Sequence, residues 1–236
     1  MPNETATQPP RGRLASTRIG LFGGTFNPIH KGHLGAALDV FDGFDLDRCY
    51  LIPSALPPHK RPLGLVSAAD RMAMLRLALA AHPGLVVSEV ELHRLGPSYT
   101  IDTVNHFVAA FPDATLFLMI GLDAFLEIDT WKSYRELFDL IPFIVLSRPG
   151  SIRSRGSSDW KILEDYLKSR ISREYRMAAE TSCLRAPGKV PVYGFQVTPR
   201  DISSTAVRRR IGQGRSIRDL VPAEVAAFIA RKGYYR

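Results

Sequence analysis

Short apolar runs alternate along the chain with stretches whose apolar positions recur every three or four residues, the pattern of strands alternating with helices in a parallel sheet. Arg18–Phe22 (RIGLF) predicts a buried first strand ending at Gly23-Gly24, followed by a helix over 31–41. A strand is predicted over Cys49–Ile52, then a helix over 70–82 behind the capping pair Ser67 and Asp70, then a strand over Leu85–Leu92. A helix begins near Thr100, and buried strands are predicted over Thr115–Ile120 and Phe143–Leu146, with helical turns over 124–137 between them. A strand over 190–197 and helices over 203–212 and 222–232 complete the pattern, the last opened by Pro222 and stopped by Gly233. This order predicts an α/β fold: a doubly wound, Rossmann-like, mostly parallel sheet with helices on both faces and a C-terminal helical portion. Residues 1–17 have no apolar core and are read as a disordered leader before a single domain over 18–236. Within that domain, 151–189 stands apart as a helical insertion: Ser/Arg-rich, then a charged helix over 160–180, then a Pro/Gly loop. It is read as a lid, an oligomer contact or a spacer, and a homo-oligomer stays open.

Composition narrows the class. With 236 residues, 45% apolar and 23% charged, the chain has the balance of a globular protein, not a disordered or fibrous one. No apolar run approaches the roughly 20 residues that span a bilayer, so no membrane partner is expected. The two cysteines, Cys49 and Cys183, form no CxxC pattern, which argues against a disulfide framework or a cysteine zinc site and fits a reducing cytoplasm. The net charge of +8 is unevenly spread: residues 148–236 carry 19 basic and 8 acidic side chains. Such a basic third suggests an anionic partner, either a phosphate-rich small molecule or nucleic acid, although many of these charges could simply solvate helices.

Two segments bear on that choice. Gly23-Gly24-Thr25-Phe26-Asn27-Pro28-Ile29-His30-Lys31-Gly32-His33 follows the first strand directly. In an open parallel sheet ligands sit beyond the carboxyl ends of the strands, and a helix N-terminus there offers free N–H groups to an anion. His30 and His33, three residues apart, share one side of that helix end. Neither a GxxxxGK[ST] loop nor a GxGxxG fingerprint is present, and a His pair with no third ligand nearby argues against a metal. Two surface histidines beside an ordinary turn are the plain alternative. The second segment, Ile202-Ser203-Ser204-Thr205-Ala206-Val207-Arg208, also lies between a strand and a helix. It supplies hydroxyls, amides and a cation for a second anion cradle, with simple N-capping as its plain alternative.

Together these segments resemble the paired motifs of the HxGH-type nucleotidyltransferases, and the resemblance extends over about residues 18–232. Four further segments are similar to the nicotinate-nucleotide adenylyltransferase branch: Pro57-Pro58-His59-Lys60, Ser98-Tyr99-Thr100-Ile101-Asp102-Thr103, Ile120-Gly121-Leu122-Asp123 with Trp131, and Ser147-Arg148-Pro149-Gly150. The resemblance implies transfer of AMP from ATP, with Mg2+, to nicotinate mononucleotide. It implies His30 and His33 as the catalytic pair. Gly23, Gly24, Thr25, Phe26, Gly121, Asp123, Ile202, Ser203, Ser204, Thr205 and Arg208 would bind ATP. Lys60, with His59 beside it, Tyr99, Thr100 and Trp131 would bind the mononucleotide. Trp131 as a core residue and Lys60 as a loop charge are the alternatives. Rival acceptors are phosphopantetheine and nicotinamide mononucleotide. A nucleic-acid-binding module is disfavoured, because residues 200–236 hold only Phe228, Tyr234 and Tyr235 as aromatics.

Overall fold

The computed structural model of the protein describes residues 16–55, 64–94, 96–147, 158–178 and 182–236. Strands β1 (Arg18–Gly24), β2 (Arg48–Pro53), β3 (Leu85–Val87), β4 (Thr115–Gly121), β5 (Phe143–Ser147), β6 (Arg176–Met177), β7 (Cys183–Arg185) and β8 (Val192–Gln196) form a single sheet in the order β3-β2-β1-β4-β5-β8-β7-β6. Pairing is parallel from β3 across to β8 and antiparallel for β8-β7-β6. The connections reverse direction between β1 and β4, which opens a crevice beyond the carboxyl ends of those two strands.

Residue alternation along the central strands builds two cores. Ile19 and Leu21 of β1, Leu116 and Leu118 of β4 and Phe143 and Val145 of β5 face helices α3 (Thr100–Ala110), α5 (Tyr134–Leu140) and α6 (Ser158–Arg170). Phe22, Phe117, Met119, Ile144 and Leu146 face the other way. They meet α1 (Lys31–Gly43), α2 (Ala68–Leu79), α7 (Ser204–Gly212) and α8 (Ala223–Lys232). A short helix α4 (Leu122–Phe125) and a 3₁₀ turn (Ile128–Thr130) lead from β4 into α5. The sheet is thus covered on both faces, as the near-continuous apolar strands require.

Two elements depart from the sequence reading. The strand expected over 85–92 stops at Val87. Extending its register by two residues beyond Leu51↔Val87 would bring Glu89 opposite Pro53, which has no N–H for the ladder. The chain turns instead, with the Leu92 N–H on the Glu89 carbonyl and the Glu91 side chain buried. The helix expected over 160–180 ends at Arg170. Ile171 and Ser172 both donate to the Leu167 carbonyl, and Tyr175 is fully buried with its hydroxyl on the Val190 carbonyl at 2.9 Å. Burial of that ring outweighs continuation of the helical pattern, and the chain then enters β6 and β7. The 151–189 segment therefore contributes a helix and two strands of the sheet.

Trp160, Leu163 and Leu167 of α6 lie in the same core as β4 and β5. Trp160→Ala should cost about 3–5 kcal/mol in equilibrium denaturation, the usual range for a truncated core aromatic. A helix merely appended to the sheet would lose far less.

Candidate active site

The site is built on the turn from Thr25 to His30, between β1 and α1. Its backbone is held from several directions. Arg71 of α2 is 1% exposed and donates from Nη1 to the Thr25 carbonyl (2.8 Å) and from Nη2 to the Ser54 carbonyl (2.7 Å). Arg208 of α7 donates from Nη1 to the Asn27 carbonyl (2.8 Å), and the Ser204 hydroxyl donates to the Pro28 carbonyl (2.9 Å). The Asn27 side chain accepts from the Tyr235 hydroxyl (2.7 Å) and from the Val66 N–H (3.3 Å). Among the described residues Arg71 has no carboxylate partner, and burial pulls its guanidinium below the ordinary arginine range. Among the described residues its hydrogen-bond acceptors are backbone carbonyls.

This restraint tolerates an awkward backbone. Phe26 sits in the left-handed region (φ 47°), which costs a bulky residue on the order of 1–3 kcal/mol. Its ring is buried and meets the His33 ring edge-on, with centroids 5.1 Å apart. Gly24 is required for that seat, since a methyl group on it would lie 2.9 Å from Phe26 Cζ. Phe26 is thus a wall behind a histidine.

His30 caps α1 from an extended conformation, its Nδ1 accepting the His33 N–H at 3.3 Å. The two imidazoles stack with centroids 3.6 Å apart and 20° between planes. Gly32 keeps the space clear, because a methyl group there would fall 2.9 Å from His30 Nδ1. The spacing read from sequence therefore brings both rings to one side of the helix end.

Two cavities adjoin the crevice and meet at Gly121. The first, about 370 Å³, is lined by Gly23, Gly24 and Thr25, by Tyr99 and Thr100 at the N-terminus of α3, and by Trp131. The second, about 410 Å³, is lined by His30 and His33, by Asp123, and by Ile202, Ser203 and Ser204 at the start of α7. Ser203 caps α7 through its hydroxyl, which accepts the Ala206 N–H at 3.1 Å. Thr205 and Arg208 do not line it: Arg208 Nη2 donates to Thr205 Oγ1 (3.2 Å) while Nη1 holds Asn27. Trp131 both lines the first cavity and packs half-buried against the core, so its two readings are compatible. Lys60 and His59, and Arg148 with them, lie outside the described residues.

Sequence reasoning missed four participants. Lys132 lines the first cavity, its Nζ 4.5 Å above the Tyr99 ring and 3.6 Å from Asp102 Oδ2. Glu91 also lines it, accepting the Thr103 hydroxyl at 2.8 Å; burial pushes its carboxyl above the usual range, against the hydroxyls of Thr103 and Ser98. Arg200 lines the second cavity and pairs with Asp39 (3.2 Å). Arg71 lies in neither cavity and acts through the turn. An arginine beside Asp70 in the first turns of a helix, in the run ADRMAML, gave no local sign of its destination, whereas Lys132 adjoined a residue already singled out. The basic C-terminal third is partly engaged internally: Arg200 with Asp39, Arg210 with Asp219, and Arg208 with the turn.

Stacked imidazoles, helix N-termini and hydroxyls gather around one crevice, a set of groups suited to an anion, with a second compartment alongside. Residues 21–210 match the family described as cytidylyltransferase-like, and the chain belongs to it. A protein of Desulfatibacillum aliphaticivorans named "Probable nicotinate-nucleotide adenylyltransferase" is 41% identical over 219 residues, covering 92% of this chain and 99% of its own length. A Pseudomonas fluorescens protein with the same name is 41% identical, covering 93% and 97%. Within the broader family, this chain belongs with the nicotinate-nucleotide adenylyltransferases. The fold is shared with Plasmodium falciparum nicotinic acid mononucleotide adenylyltransferase solved in complex with NaAD, at 16% identity and TM-score 0.69, over 93% of this chain and 97% of that one. Among the described residues no helix is long and apolar enough to cross a membrane.

Arg71→Met would leave the Thr25 and Ser54 carbonyls without their donor. It should lower stability by about 2–4 kcal/mol in a denaturant titration, and kcat/KM by about 10²-fold as the turn loosens. Unchanged turnover in a destabilised variant would separate the turn's restraint from catalysis.

Proposed function

We infer that the chain transfers AMP from ATP to nicotinate mononucleotide, releasing pyrophosphate and forming nicotinate adenine dinucleotide, a step of NAD biosynthesis. The observation that carries this reading is the pair of cavities meeting at Gly121, one at the histidines and one at the α3 N-terminus. The acceptor phosphate is already ionised near neutral pH, so no covalent nucleophile or strong base is needed. A bond forms between an acceptor phosphate oxygen and the α-phosphorus while the bond to the β-phosphate bridging oxygen breaks. The obstacles are repulsion between anions and charge building on the departing pyrophosphate. Positioning and electrostatic stabilisation answer both.

In this reading His30 and His33 stabilise the α-phosphate and the leaving group, while Ser203, Ser204 and the amides opening α7 receive the β- and γ-phosphates. Mg2+ enters with ATP as part of the substrate. Arg208 acts chiefly by holding the turn, with Thr205 orienting it. Asp123 lies on the nucleoside side. Tyr99, Thr100 and Trp131 take the pyridine ring, with Lys132 adding a cation. A reducing cytoplasmic setting belongs to the same reading, since Cys49 and Cys183 are both buried and free.

His33→Ala should lower kcat by about 10²–10³-fold with little change in ATP affinity, the cost of removing one preorganised donor. Near-normal kcat would remove His33 from the chemistry. The test of the acceptor is a comparison of nicotinate and nicotinamide mononucleotide by pyrophosphate release. The two acceptors are nearly isosteric, so hydrogen-bond polarity must discriminate them. A carboxylate accepts from the first-turn N–H groups of α3 and from Lys132, whereas an amide NH₂ would set donor against donor. The nicotinate form should be preferred by about 10–100-fold in kcat/KM. Equal efficiencies would overturn the acceptor assignment.

A further inference from the structure

Gly35 lies inside α1, where alanine is the better helix former. The space it leaves is filled by Arg200, which reaches across from the loop after β8. A methyl group on Gly35 would stand 2.1 Å from Arg200 Cζ, 2.1 Å from Nη1 and 2.5 Å from Nε. A point that close to all three atoms lies above the guanidinium plane, not within it, so the group rests face-on against the helix. Asp39, one turn further along α1, fixes it there: Oδ2 accepts from Arg200 Nη1 (3.2 Å) and from the Thr198 N–H (2.6 Å). One face of a planar cation is therefore backed by helix, its edge is clamped, and the residue lines the second cavity.

Position along the helix indicates what the opposite face would meet. The phosphate-binding groups, His30, His33, Ser203 and Ser204, gather at the N-terminus of α1. At 1.5 Å per residue, Gly35 and Asp39 lie progressively deeper along the helix, away from that end. A nucleoside triphosphate with its phosphates at the histidines must extend its base toward Ala36, Val197 and Arg200. We propose that Arg200 is a base-binding residue, stacking the outer face of its guanidinium on the purine of ATP, with Gly35 and Asp39 as positioning residues. This rests on reading the second cavity as the ATP site. A guanidinium is suited to the task because it is planar, permanently charged and weakly hydrated, and stacks on aromatic faces.

The test is calorimetric binding of ATP, AMP and inorganic tripolyphosphate to the full chain without acceptor, beside the KM of the acceptor. Arg200→Met should weaken ATP and AMP by about tenfold. Tripolyphosphate binding and the acceptor KM should stay within about twofold. Gly35→Ala, which forces the guanidinium off its seat while favouring the helix, should weaken ATP and AMP to the same degree. The double variant should add little to either, because both changes remove one interaction. Equal loss for tripolyphosphate would make Arg200 a phosphate contact and overturn the proposal, as would unchanged AMP affinity in a folded Gly35→Ala or Arg200→Met chain. A wild-type chain that binds no ATP would instead overturn the reading of the site itself.

Discussion

The carbonyls of Thr25, Asn27 and Pro28 each accept a hydrogen bond from a different side chain, and that restraint positions everything else in the site. Arg71 comes from α2, while Arg208 and Ser204 come from the far end of the chain. A turn carrying a bulky residue at positive φ would relax if left to itself. Held at three carbonyls, it keeps the Phe26 ring against His33 and delivers His30 as the cap of α1. The same bonds join the two sequence motifs physically: the second motif grips the backbone of the first. A histidine pair, a serine cradle and two cavities then follow from one fixed turn.

Charge in the site is arranged by compartment. Around the histidines, Ser203, Ser204 and the start of α7 supply uncharged donors, with Arg200 as a cation on the same cavity, held by Asp39. Arg71, the most deeply buried cation of the turn, is directed at carbonyls and lines neither cavity. Glu91 is buried in the other compartment, and its raised pKa reflects the cost of keeping a carboxylate where water is excluded. Thr103 joins it to Arg94, which also donates to the Asp102 carbonyl at the opening of α3, so this cluster fixes the helix end that lines the first cavity.

Much of this was legible beforehand because parallel strands buried on both faces read as unbroken apolar runs, and β1, β4 and β5 are such runs. The histidine pair was legible because a three-residue spacing at a helix start brings the N-cap, His30, beside the first turn, where His33 stands. Other features depend on what lies opposite in space. Pro53 ends β3 from a neighbouring strand, and the buried ring of Tyr175 ends a helix whose own pattern continues. In the fold the Phe26 ring backs a histidine and the Arg208 guanidinium holds a carbonyl, placements that residue type cannot carry. Arg71 and Arg200 escaped notice for the same reason: an arginine's reach exceeds the window over which local pattern is informative.

The clamps on Asn27 come from residues 181 and 208 positions further along the sequence. Contacts of such span are made only after the intervening chain is largely ordered, because closing long loops is entropically unfavourable until many contacts form together. The strands around β1 can pair from nearer neighbours, but the turn cannot settle until α7 and the segment after α8 have docked. The turn is synthesised well before the residues that clamp it. Assembly of the site is therefore a late event in folding, and a partly folded chain can hold its first motif without yet holding it in shape.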